Sequence, residues 1–333
     1  MKMPNDKITV ACRACGAPNR LPVERALKDL AKPSCGSCKA RLFRARGEPL
    51  VDLSDQALCH PWDNQALEAL RKVPYADKIL EKLFASTLDK LSKFNLMAGA
   101  VRISDKQAPR LWRLYLEAAG RINVDPPPLF VIQNPVMNAF AIGAGQPQVA
   151  VTSGLLDGMG DREILGVLGH ELTHVKLGHV LYRTLALMII QGGLGVLDKL
   201  MGVGRVLILP IQIALFRWYQ MAELSADRGE LVATASLETF VRTHMLLAGG
   251  SSRFMDELDV AAFVDQAYDA EKMRDEDLLV MVMETLDNTF RTHPLPAWRV
   301  HHGLKWAQTE GFFDVLAGAP LQQLEDMRSS SHP

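Results

Sequence analysis

The sequence has no apolar run long enough to cross a bilayer. Its longest charge-free apolar stretches are residues 184–197 and 206–216, of 14 and 11 residues, against the roughly 18–20 that a spanning helix needs. Residues 1–10 are polar and carry no apolar centre, so a secretory signal is not expected. An excess of charge of one sign is missing too. Lys plus Arg number 37 and Asp plus Glu 38, which excludes binding of nucleic acid through overall charge. No repeat at a period of roughly 20–50 residues is visible. Hydrophobic residues at 48% and charged residues at 23% exclude disordered and fibrous classes. The 333 residues suffice for one large domain or for two of unequal size.

The balanced total hides an asymmetry. Residues 1–50 hold 11 Lys/Arg against 4 Asp/Glu, and residues 51–333 hold 26 against 34. A small basic module joined to a larger acidic one accounts for this. Cysteine is scarce, and its arrangement is informative. Four of the 5 cysteines form two C-x-x-C pairs, Cys12/Cys15 and Cys35/Cys38, at zinc-ribbon spacing. Gly16 and Gly36 suit the tight knuckles that aim four thiolates at one ion. Such a closed Cys₄ site leaves no coordination position for water and is structural. No βαβ pattern surrounds either pair, which argues against a thioredoxin-like redox motif. Cys59 is the odd one and reads as a free thiol. The basic run 39–46 would suit nucleic acid but reads first as a solvated face, so no nucleic-acid partner is expected.

The sequence divides into a ribbon over residues 8–46, a polar proline-containing linker over 47–64 and a larger domain over 65–325. Helical periodicity marks residues 75–94 and 107–119. Strands are expected at 100–103, Leu129–Ile132, 138–142 and Gln148–Thr152, the last two as a hairpin. Beyond Asp161 the pattern is helical to the end. The expected fold is α+β, mostly helical with a small sheet.

The strongest chemical signal is His170-Glu171-Leu172-Thr173-His174 on a predicted helix. At about 100° per residue the two histidines lie about 40° apart on one face, so both imidazoles can reach one Zn²⁺. Glu171 is turned away from that face, placed to take a proton from an attacking water. The plain alternative is two histidines on an ordinary helix. His179 falls half a turn out of phase with His170 on a continued helix and reads as a surface histidine. Downstream, Glu223 and Asp227 share a helix face. They suit a carboxylate ligand and a carboxylate that orients a ligating histidine, or else an acidic solvated face.

Together these segments resemble the HtpX-type zinc metallopeptidases, gluzincins that include the CAAX prenyl protease and Oma groups. Asn138-Ala-Phe-Ala-Ile-Gly143 is similar to the family's N-A-F-A-x-G strand, and residues 151–156 to its stretch before the active-site helix. Glu223-x-x-Ala-Asp227 is similar to E-x-x-A-D, and Thr292-His293-Pro294 with Arg299 to T-H-P…R. The motifs keep the family's order over roughly 100–302. The resemblance implies a zincin-like domain with His170, His174 and Glu223 on a catalytic zinc and Glu171 as base. It places His293 over that zinc, as oxyanion donor or as latent ligand, with Asp227 and Arg299 behind the ligands. An extended substrate would pair with the strand edge at Asn138, Ala139 and Phe140. Residues 12–43 separately resemble the N-terminal ribbon of some bacterial thioredoxins.

Two zinc ions per chain are thus expected, one catalytic and one structural. The first functional reading is a zinc-dependent endopeptidase in the cytoplasm, acting on unfolded or damaged polypeptides. The others are a ribbon-mediated binding protein with the peptidase domain as scaffold, and a membrane-associated quality-control protease touching the bilayer through 184–216. An intact Glu171 argues against the scaffold.

Overall fold

A computed structural model describes residues 7–28, 30–45, 47–72, 87–143, 145–184, 205–277 and 294–318. The N-terminal unit is an antiparallel hairpin, β1 (Lys7–Ala11) and β2 (Pro18–Pro22), followed by helix α1 (Val23–Lys28). Two knuckles carry the cysteines. In the first, Gly16 donates to the Cys12 carbonyl and adopts φ +72°; in the second, Lys39 donates to the Cys35 carbonyl and adopts φ +63°. The left-handed position of the second knuckle therefore falls on Lys39 and not on Gly36, whose N–H instead donates to Asn19 Oδ1.

This unit is not set apart from the rest. Ile8, Val10, Leu42 and Phe43 belong to the same buried cluster as Phe312, Phe313 and Leu316. The Phe43 and Phe313 rings lie 5.7 Å apart, and Arg44 N–H donates to the Leu316 carbonyl at 3.0 Å. Residues 47–64 hold helix α2 (Asp55–Leu58) and the start of α3 (Pro61–Arg71). They bury Leu50, Leu53, Leu58 and Asp63, so this stretch is packed chain.

Helix α4 (Thr87–Gly99) leads into β3 (Val101–Arg102), α5 (Pro109–Ile122), β4 (Leu129–Ile132), β5 (Ala139–Ile142) and β6 (Gln148–Thr152). The four strands form one sheet in the order β3-β4-β6-β5. Only β4 and β6 are parallel, and β5 and β6 form the expected hairpin. Among the described residues strand β5 is thus an edge, and the last strand along the chain is β6. Beyond it the described chain is helical: α6 (Ser153–Gly158), α7 (Asp161–Lys176), α8 (Arg205–Thr234), α9 (Leu237–Leu247), α10 (Val260–Glu276), α11 (Pro296–Ala307) and α12 (Glu310–Ala317). The α+β class, mostly helical, is observed.

Helix α7 is buried continuously from Glu163 to His174, so it is the central helix of the domain and α8 is its main partner. Their close approach depends on two glycines. A Cβ at Gly169 would overlap the Ala233 side chain, and one at Gly229 would overlap the Thr173 hydroxyl. Among the described residues no helix is long and apolar enough to cross a membrane. Residues 185–204, most of the apolar stretch singled out above, lie outside the described residues, as does His293.

Candidate metal centre and catalytic cleft

Among the described residues three sets of side chains that could hold a metal converge, one in the ribbon and two that share His170, the other of these being His170, Asp227 and Glu230. Within the ribbon, Cys12, Cys15, Cys35 and Cys38 bring their sulfurs together, at 3.6 Å for Cys12–Cys38 and 3.7 Å for Cys15–Cys35. A tetrahedral zinc with bonds of about 2.3 Å sets its sulfurs about 3.8 Å apart, so the cluster has the required size. The Cys38 N–H pulls the Cys35 thiol down to about 6, against burial and with help from the Ser37 N–H. These knuckle amides favour the thiolate, the form that binds metal.

The second set is His170 and His174 on α7 and Glu223 on α8, all buried. The two Nε2 atoms lie 3.2 Å apart. His170 Nε2 is 3.3 Å from Glu223 Oε2, and His174 Nε2 is 3.3 Å from Glu223 Oε1. Zinc bonds of about 2.0–2.1 Å in a tetrahedron separate ligand atoms by about 3.3–3.4 Å. The two histidines face different oxygens of Glu223, and each of the three separations is close to that spacing.

Electrostatics point the same way. Burial opposes a charge on His170, yet Glu223, with Asp227, outweighs it and pushes the imidazole up to about 9. Burial and Arg183 push His174 well below its ordinary value. The carboxylates thus favour a positive charge at His170, while burial and Arg183 oppose one at His174.

Behind His170, Asp227 Oδ1 lies 3.2 Å from its Nδ1, and Arg299 Nε donates to Asp227 Oδ2 at 3.0 Å. Burial alone would raise Asp227, but Arg299 outweighs it and holds the carboxyl well below the usual range. Glu223 and Asp227 are one turn apart on a helix buried over this stretch, so the solvated acidic face is excluded.

Sequence reasoning missed three residues of this centre. Arg183 Nη1 donates to Glu171 Oε2 at 3.0 Å, and its Nη2 lies 3.3 Å from the Tyr219 hydroxyl. His179 was expected at the surface but is 3% exposed, with Nδ1 3.0 Å from His174 Nδ1. The helical extrapolation fails because α7 ends at Lys176, and Gly178 at φ +71° turns the chain back. Asp63, placed in the expected linker, meets His179 Nε2 at 3.1 Å. Pairings this distant in sequence leave no periodic signal.

A cleft of about 250 Å³ opens over His170 and Glu171. Its walls include Asn138, Ala139, Leu155, Val167, Leu247 and Arg299. Thr152 sets the β5 side of it: its hydroxyl donates to the Val136 carbonyl at 2.8 Å and accepts from Asn138 N–H at 3.0 Å. Of the expected substrate residues, Asn138 and Ala139 line the cleft. Phe140, alternating to the opposite face, packs near Leu96, Phe130 and Ala150. Pro294, beside His293, reaches the cleft rim.

The model of peptidase family M48 matches residues 105–307. The plastoglobule-localized metallopeptidase 48 of Arabidopsis thaliana, chloroplastic, is 29% identical over 289 residues, 86% of this chain and 80% of that protein. A protease HtpX homolog of Ralstonia nicotianae is 26% identical over 246 residues, 64% of this chain and 79% of that protein. Another from Aquifex aeolicus is 40% identical over 106 residues, 31% and 35% of the two chains. No solved structure matches.

Proposed function

The chain belongs to peptidase family M48, and from this premise we propose that it is a zinc-dependent endopeptidase with Glu171 as general base. The observation that carries the reading is the convergence of His170, His174 and Glu223, with His170 and Glu171 lining one cleft. A Zn²⁺ held by these three residues would supply Lewis acidity, polarising the scissile carbonyl and acidifying the attacking water.

The protein's own groups do the rest. Arg183 fixes one oxygen of Glu171, which leaves the other to accept the water's proton and return it to the leaving amine. An extended polypeptide adds to the free edge of β5, and its main-chain hydrogen bonds fix register with little demand on sequence. Such recognition suits unfolded or damaged chains, which expose their backbone. His293 is the candidate donor to the developing oxyanion, or the group that holds the enzyme latent. His293→Ala separates these by sign, lowering turnover in the first case and raising it in the second. The four ribbon cysteines would hold a second, structural zinc.

We place the enzyme in the cytoplasm. A second reading, a protease held at a lipid surface through 184–216, is favoured by the name of the Arabidopsis relative, which puts that protein at plastoglobules. Casein hydrolysis with and without a chelator tests the activity. Flotation with phospholipid vesicles tests the second reading, since a chain that stays with the soluble fraction sinks it.

A further inference from the structure

The two histidines of the proposed metal site are oriented by different devices. His170 has a direct carboxylate partner in Asp227, 3.2 Å from its Nδ1. For His174 the neighbour at Nδ1 is another imidazole, His179, at 3.0 Å between the Nδ1 atoms. His179 Nε2 in turn lies 3.1 Å from Asp63 Oδ2. Asp63 also accepts from Trp218 Nε1 at 2.9 Å and from Ser225 Oγ at 2.6 Å. All seven side chains are buried.

Ligation through Nε2 sets the direction of this chain, because a ligating imidazole carries its remaining proton on Nδ1. Burial would raise Asp63, but the hydrogen bond from His179 outweighs it and keeps the carboxyl low, so Asp63 only accepts. The Nε2 of His179 therefore carries a proton. With that proton on Nε2, the His179 Nδ1 can accept the proton that a ligating His174 carries on its own Nδ1, 3.0 Å away. That leaves the lone pair of His174 on Nε2, the atom facing Glu223 and His170. The opposite arrangement would place a proton on Nε2 and prevent ligation.

We propose that Asp63 and His179 are positioning residues of the metal centre, a carboxylate–imidazole relay that holds His174 in its ligating tautomer and orientation. The inference rests on reading His170, His174 and Glu223 as a metal site. It also assigns a role to the segment ahead of the family match at residues 105–307. Helix α3 brings Asp63 into the centre and is fastened to α8 at its N-terminal end. His60 N–H donates to Ser225 Oγ at 2.8 Å, and Arg228 Nη1 donates to the Cys59 carbonyl at 2.9 Å. The domain that binds the metal thus begins before the segment that carries its motifs.

The test uses the full chain. Zinc affinity is read by competition with a chromophoric chelator, and ligand geometry by the visible d–d bands of the cobalt(II)-loaded protein. His174→Ala marks complete loss of this site. Asp63→Asn and His179→Phe should each weaken zinc here about 10–100-fold, the usual effect of removing a ligand's outer partner. Their d–d bands should change while the thiolate-to-cobalt bands of the ribbon do not. Should His179→Phe fail to fold, Asp63→Asn, which keeps size and shape, decides. Affinity and spectrum equal to wild type in a variant whose melting temperature falls would mean a purely structural role and overturn the relay. If instead His174→Ala itself leaves zinc binding unchanged, the metal-site reading fails first.

Discussion

Arg183 lies 3.0 Å from Glu171 through Nη1 and Oε2, and neither side chain is more than 2% exposed. A buried ion pair broken on one side leaves the other charge without a partner and costs about 3–5 kcal/mol. Arg183→Met should therefore lower stability by that order in urea unfolding, and should lower turnover as Glu171 loses its anchor. Unchanged stability would show that the pair is not formed in solution.

Glu171→Gln isolates the proton transfer. The amide keeps the size of the carboxylate and cannot accept a proton, so turnover should fall about 10²–10⁴-fold, the range of a general base. Metal analysis should still find wild-type zinc. Loss of zinc together with activity would make Glu171 a ligand.

Gly229→Ala should act through the crossing of α7 and α8. The added methyl would overlap the Thr173 hydroxyl, and overpacking of this kind costs about 1–3 kcal/mol. Because the crossing sets the distance between His170, His174 and Glu223, zinc affinity should fall as well. A variant with wild-type zinc affinity would show that the crossing tolerates the shift.

With one zinc in each site, as proposed, Cys35→Ser should remove one of two zinc equivalents. The ribbon shares its core with α12 through Phe43 and Phe313, so its loss should lower the melting temperature of the peptidase domain too. A peptidase domain that melts unchanged would show the two cores to be independent.

Much of this centre was legible in the sequence because its signals are short in range. The i, i+4 spacing places His170 beside His174, and the same spacing places Glu223 over Asp227. The C-x-x-C pairs and the 138–152 hairpin likewise lie within a few residues of themselves. The relay was not legible. His179 sits past a helix end that the periodicity carries through, and Asp63 comes from a stretch whose prolines and polar residues imitate a linker. Its buried Leu50, Leu53 and Leu58 are too few for a periodic pattern. Arg183 pairs with Glu171 only because the chain turns at Gly178.

The most direct test is a zinc titration of the metal-free chain, followed by hydrolysis of an unfolded protein substrate such as casein. Hydrolysis should be absent without metal, rise with added zinc, and stay absent in Glu171→Gln at equal zinc content. Hydrolysis by the metal-free chain, or by Glu171→Gln at the wild-type rate, would contradict the assignment.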